Sequence, residues 1–104
     1  ETQDKERDIA AATAAWEKAK ELIRDERNQM VLLDEINIAL RYGYIDLGEV
    51  MKFLEHEKPP MTHVVLTGRN AAEDLIEMAD LVTEMALVKH PFRSGIKAQI
   101  GVEF

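Results

Sequence analysis

Cysteine is absent from this chain of 104 residues. No disulfide and no thiolate metal or redox site is therefore available, and a reducing, cytoplasmic setting is the expected one. Glycine is scarce. Only five occur, at positions 43, 48, 68, 95 and 101, and none stands in a G-x-x-x-x-G-K-[ST] frame. The backbone cradle that P-loop enzymes use for phosphates is missing. No apolar run approaches the roughly 20 residues of a membrane-spanning helix, so no membrane partner is expected. Basic residues are outnumbered, 13 Lys and Arg against 20 Asp and Glu, for a net charge of −7. Non-specific nucleic-acid binding needs clustered cations and is not expected. There is no internal repeat and no low-complexity segment. The acidic, polar start of the first helical pattern is not that of a secretory signal, and none is expected. The chain starts at Glu1 rather than Met, and is read as a processed product or a piece of a longer protein.

What is present is a hydrophobic content of 46%, enough for a globular unit the size of one domain. The most informative segment is Met30-Val31-Leu32-Leu33-Asp34-Glu35. An apolar burst that stops at two adjacent carboxylates reads as a buried parallel strand delivering acids to its carboxyl end. Ligands of open α/β sheets bind at that end. In P-loop nucleotide enzymes this is the Walker B position, where an acid helps hold Mg²⁺ beside the phosphates.

Along the chain, residues 4 to 27 read as a long amphipathic helix. Ile9, Ala12, Trp16, Ala19 and Ile23 recur at steps of three and four, and Thr2 or Asp4 can cap its start. The first strand spans 30 to 34. Ile36 to Arg41 is short and helical or irregular, and Tyr42-Gly43-Tyr44 breaks it. Asp46 caps a helix over 47 to 56, which Lys58-Pro59-Pro60 stops. His63 to Thr67 is a second strand, followed by Gly68-Arg69-Asn70. Asn70 is placed to cap a third amphipathic helix over 71 to 79. Leu81 to Val88 is a third strand candidate. A basic loop with Lys89, His90, Arg93 and Lys97 follows, and Ala98 to Phe104 is a last strand, antiparallel to the third. Alternating strands and helices imply a mainly parallel sheet with right-handed crossovers.

The ordered pieces Val31-Leu32-Leu33-Asp34-Glu35, Tyr42-Gly43-Tyr44, Val65-Leu66-Thr67-Gly68-Arg69-Asn70, Ala79 to Met85, Val88-Lys89-His90-Pro91-Phe92 and Gly95 to Phe104 closely resemble the carboxyl-terminal half of the P-loop type of ATP:corrinoid adenosyltransferase. The resemblance implies an α/β fold, part of a P-loop NTPase-like three-layer sandwich without its P-loop half. It implies transfer of the 5′-deoxyadenosyl group of ATP to a Co(I) corrinoid, with a reductase protein as an expected partner. Two readings from other classes stay open: a non-catalytic α/β interaction domain with a structural acid pair, and a piece of another P-loop ATPase.

Carried over residue by residue, the resemblance makes Glu35 a ligand of Mg²⁺, with Asp34 orienting water or the metal behind it. Arg69 contacts an ATP phosphate, and Thr67 and Asn70 shape that loop. Lys89, His90 and Lys97 contact phosphate or corrin. Each has a plainer reading: a strand-end acid pair capping the next helix, a helix-start arginine, a helix-capping asparagine, and a solvated basic loop. Tyr42 and Tyr44 are read as packing rather than ligand stacking, and Trp16 as core. In related enzymes the P-loop strand lies between the strand ending at Thr67 and the one near Leu81 to Val88. A chain without it is expected to expose strand edges and an apolar patch, and to associate as a homo-oligomer.

Overall fold

A computed structural model gives the fold and describes residues 2–89 and 102–104. Helix α1 (Thr2–Arg24) opens the chain. Its residues Ala12, Trp16, Ala19 and Ile23 are buried, which is the stripe that three- and four-residue spacing produces. The helix stops before the expected residue 27 because a local turn takes over. The Asn28 backbone N–H donates to the Asp25 carbonyl (2.9 Å), and the Asn28 side chain donates to the Leu22 carbonyl (2.9 Å). A terminal helix carbonyl is thereby satisfied from outside the helix.

Strand β1 (Met30–Asp34) follows, then helices α2 (Ile36–Arg41) and α3 (Leu47–His56), strand β2 (His63–Leu66), helix α4 (Glu73–Met78) and strand β3 (Val102–Glu103). The sheet order is β2-β1-β3, and both neighbours run parallel to β1. The fold is therefore α/β with a parallel sheet. Register aligns Val31 with Val64, Leu33 with Leu66, and Leu33 with Val102. These five side chains share one face, since alternate residues of a strand point the same way. That face joins the core, and α1 lies against β1 and β3. The opposite face carries Leu32, Met30 and Val65, which are half-buried or exposed.

Helix α3 starts where Asp46 Oδ2 accepts the Glu49 N–H at 2.9 Å, the expected cap. It packs on α1 through Trp16 and Phe53, whose rings meet edge to face at 5.4 Å and 79°. The buried indole donates to Glu49 Oε1 (3.2 Å), and Arg24 pairs with Glu57 at 2.9 Å. Lys20 contacts both Glu17 and Glu49, and its hydrogen bond to Glu17 holds the ammonium above its ordinary pKa.

Four expectations are corrected. Leu81 to Val88 is not a strand: it is irregular, and Leu81, Val82, Met85, Leu87 and Val88 are exposed. A strand needs a neighbour's N–H and C=O groups, and among the described residues this segment has none. The final strand is parallel to β1 rather than antiparallel to a third strand. β1 had a free edge to offer, and the Phe104 N–H donates to the Asp34 carbonyl (2.8 Å). Asn70 does not cap a helix. It sits in the left-handed region at φ 55, and α4 begins only after an extended Ala72. Finally, no pair of edges faces a gap between the Thr67 strand and residues 81–88. The sheet is open, and the outer edges of β2 and of β3 both lack a strand partner among the described residues.

Candidate functional site at the carboxyl edge of the sheet

Parallel strands bring their carboxyl ends to one edge, and here that edge gathers Asp34, Glu35, Thr67 and Phe104. Thr67 is the joint. Its Oγ1 donates to Asp34 Oδ1 at 3.0 Å and accepts the Glu35 N–H at 2.9 Å. Its own N–H donates to the Leu33 carbonyl (3.2 Å), and its carbonyl accepts the Asn37 N–H (3.3 Å). One hydroxyl thus ties the end of β2 to both acids.

Glu35 is the N-cap of α2 and lies in the left-handed region, at φ 62 and ψ 20. A non-glycine residue held there costs on the order of 1–3 kcal/mol. The bonds from the Glu35 N–H to Thr67 and from the Ile38 N–H to the Glu35 carbonyl (3.2 Å) hold it in place. The strained turn reverses the chain from strand to helix, and the Glu35 side chain is exposed with no cap hydrogen bond. Glu35 thus holds the N-cap position without capping α2 through its side chain.

Gly68 has φ +127, and a Cβ placed there would lie 2.9 Å from Asn37 Cβ. Asn37 Nδ2 donates to the Gly68 carbonyl (3.1 Å). Asn37 is buried and its Oδ1 has no partner. Sequence reasoning passed over Asn37. Its signal was a lone amide inside the apolar stretch Ile36-Asn37-Ile38-Ala39-Leu40.

Arg69 and Asn70 follow directly and are exposed. Arg69 makes no ion pair among the described residues. Lys89 is exposed and is not joined to the acid edge, while His90, Arg93 and Lys97 lie outside the described residues. Tyr44 packs on the core; Tyr42 is exposed, with its ring 5.7 Å from that of Tyr44. A hollow of about 400 Å³ lies between α1 and α3 and includes Lys20, Arg24, Lys52 and Glu57. The acid edge does not line it.

The family model described as ATP:corrinoid adenosyltransferase BtuR/CobO/CobP matches residues 1–104. The chain belongs to the ATP:corrinoid adenosyltransferase family. It is 81% identical to a corrinoid adenosyltransferase of Sinorhizobium over all 104 residues, which make up 49% of that protein. It is 56% identical to the corrinoid adenosyltransferase of Pseudomonas aeruginosa and 42% identical to that of Escherichia coli K12, again over all 104 residues. These cover 51% and 53% of those two proteins. The chain spans about half the length of the curated relatives it matches. Ligands of open α/β sheets bind at the carboxyl ends of the strands, which is the edge that Asp34, Glu35 and Thr67 occupy.

Proposed function

We propose that this chain supplies the acid edge of an enzyme that transfers the 5′-deoxyadenosyl group of ATP to a Co(I) corrinoid. In that reaction the Co(I) substrate attacks C5′. A Co–C bond forms, the C5′–O bond breaks, and triphosphate leaves with the bonding pair. The observation that carries the reading is the Thr67 hydroxyl joining Asp34 to Glu35 across two parallel strands, within a chain that the family model matches throughout.

The donors suit a hard divalent cation. Two carboxylates stand on adjacent residues, and among the described residues no third Asp, Glu or His joins them. Mg²⁺ commonly takes one or two carboxylates and completes its shell with water and substrate phosphates. Glu35 would hold it and Asp34 would orient it. When bound, Mg²⁺ supplies charge neutralisation for the departing triphosphate. The protein's own part is positioning. Thr67 fixes the Asp34 carboxylate, the strained Glu35 backbone projects its carboxylate from the strand end, and Arg69 offers a planar fork for phosphate. Reduction of cobalt is assigned to a separate reductase protein. We place the sheet within a P-loop-type sandwich, of which this chain holds the Walker B side.

The reading is tested in a family enzyme carrying this sequence in its matching half. Glu35→Gln keeps the size and removes the charge, and is expected to lower turnover by roughly 10²-fold or more, the scale of one lost electrostatic stabiliser. Arg69→Lys is expected to raise KM for ATP, since an ammonium cannot reproduce the bidentate fork. Wild-type rates at subsaturating ATP for both variants would overturn the assignment.

A further inference from the structure

We propose that Asn37 is a positioning residue, which tethers the 67–69 loop so that Arg69 is held ready for a triphosphate. The inference rests on the reading of Arg69 as a phosphate contact. Asn37 is only 5% exposed and sits on α2 beside the buried apolar residues Ile36 and Ala39. Three constraints run from it to two consecutive loop residues. Its backbone N–H donates to the Thr67 carbonyl, its Nδ2 donates to the Gly68 carbonyl, and its Cβ fills the space a Gly68 side chain would need. Rotating the amide by half a turn would set Oδ1 against the Gly68 carbonyl, acceptor against acceptor, so Nδ2 faces the loop.

The other end of the amide argues against a purely stabilising role. Asn37 Oδ1 is buried without a partner, and a buried unmet acceptor is costly. Leucine has almost the same shape and would fill the site without that penalty. What leucine cannot do is donate to Gly68. The amide is therefore explained by the loop it holds. Arg69 comes next in the chain, is exposed, and is joined by no ion pair among the described residues. Its starting position is set by the backbone of Gly68. Holding a bidentate group in place before the ligand arrives lowers the ordering cost of binding.

The test uses a whole family enzyme carrying this sequence in its matching half, with two readouts: backbone order parameters by NMR, and the Kd for inorganic triphosphate with Mg²⁺ from shift titration. Asn37→Leu is expected to keep the melting temperature within a few degrees. The order parameters of Gly68 and Arg69 should fall below about 0.6, the flexible range. Triphosphate should bind at least threefold more weakly, and Asn37→Leu should cause no further loss in an Arg69→Ala background. Additive losses in that double mutant would show that Asn37 acts independently of Arg69 and overturn the proposal. Should the leucine variant fail to fold, Asn37→Asp keeps the shape and turns the donor into an acceptor, and the same loosening is expected. Unchanged order parameters in a folded variant overturn the tether. If Arg69→Ala leaves the triphosphate Kd unaltered, the phosphate reading of Arg69 falls instead, and with it the purpose assigned to the loop.

Discussion

Leu33 and Leu87 are the same side chain in opposite circumstances. Leu33 is 0% exposed and Leu87 is 79% exposed. Both lie in apolar runs that read as strands, Met30–Asp34 and Leu81 to Val88. β1 has a parallel neighbour on each edge and α1 against it, so its backbone groups are paired and Val31 and Leu33 are covered. The 81–88 segment has neither among the described residues, and its large apolar side chains are exposed. An apolar run is thus a necessary but insufficient condition for a strand. The neighbour that accepts its hydrogen bonds decides.

The largest expected effect separates the two leucines directly. Leu33→Ala should cost about 2–5 kcal/mol, through lost transfer energy and a residual cavity. Leu87→Ala should stay within about 0.5 kcal/mol, as exposed substitutions do. Urea unfolding of both variants decides it, and equal losses would mean that residue 87 is buried in solution. The second expectation concerns what covers the exposed segment. Five large apolar residues between 81 and 88, with a free β2 edge, should drive self-association. Light scattering across a dilution series should give at least twice the monomer mass at high concentration, and Met85→Asp with Leu87→Asp should reduce it. A monomer at every concentration would break the link between the exposed segment and assembly.

Within the packed region the next effect is smaller. Asp46→Ala removes the α3 cap and should cost about 1 kcal/mol, read by thermal melting. Smallest is the Asp25–Arg27 pair at the turn after α1. The Arg27 side chain and then its backbone N–H hold the Asp25 carboxyl down from 3.8 to about 2. A depressed carboxyl contributes stability above its unfolded pKa and loses it as pH falls through the folded one. The small advantage of Asp25 over Asn should therefore fade between about pH 4 and pH 2. An Asp25 NMR titration midpoint near 4 would show that the pair is not held in solution.

Much of the fold was legible because periodicity reports burial. The α1 stripe, β1, the Asp46 cap and the α3 face follow from local spacing and side-chain chemistry. The acid pair was visible for the same reason, as an abrupt end to an apolar run. The role of Thr67 was only half visible. Its place after β2 was clear, but its bond to Asp34 spans 33 residues and depends on register. Asn37 was missed because a single amide in a short helix has no period to betray it. The helix after Asn70 began late because that residue took a left-handed backbone rather than a capping one.

The sequence by itself determined the α/β class, the family, and which residues carry charge to the strand ends. Those properties are local, or belong to the order of residues along the chain. Tertiary structure alone decided that β3 pairs parallel to β1, that residues 81–88 form no strand, and that Thr67 and Asn37 bind the acid edge to its loop. The physical reason is hydrogen-bond pairing at a distance. A strand or a buried donor is held by the partner it finds, and which distant residue supplies that partner depends on how the packed elements bring the chain together.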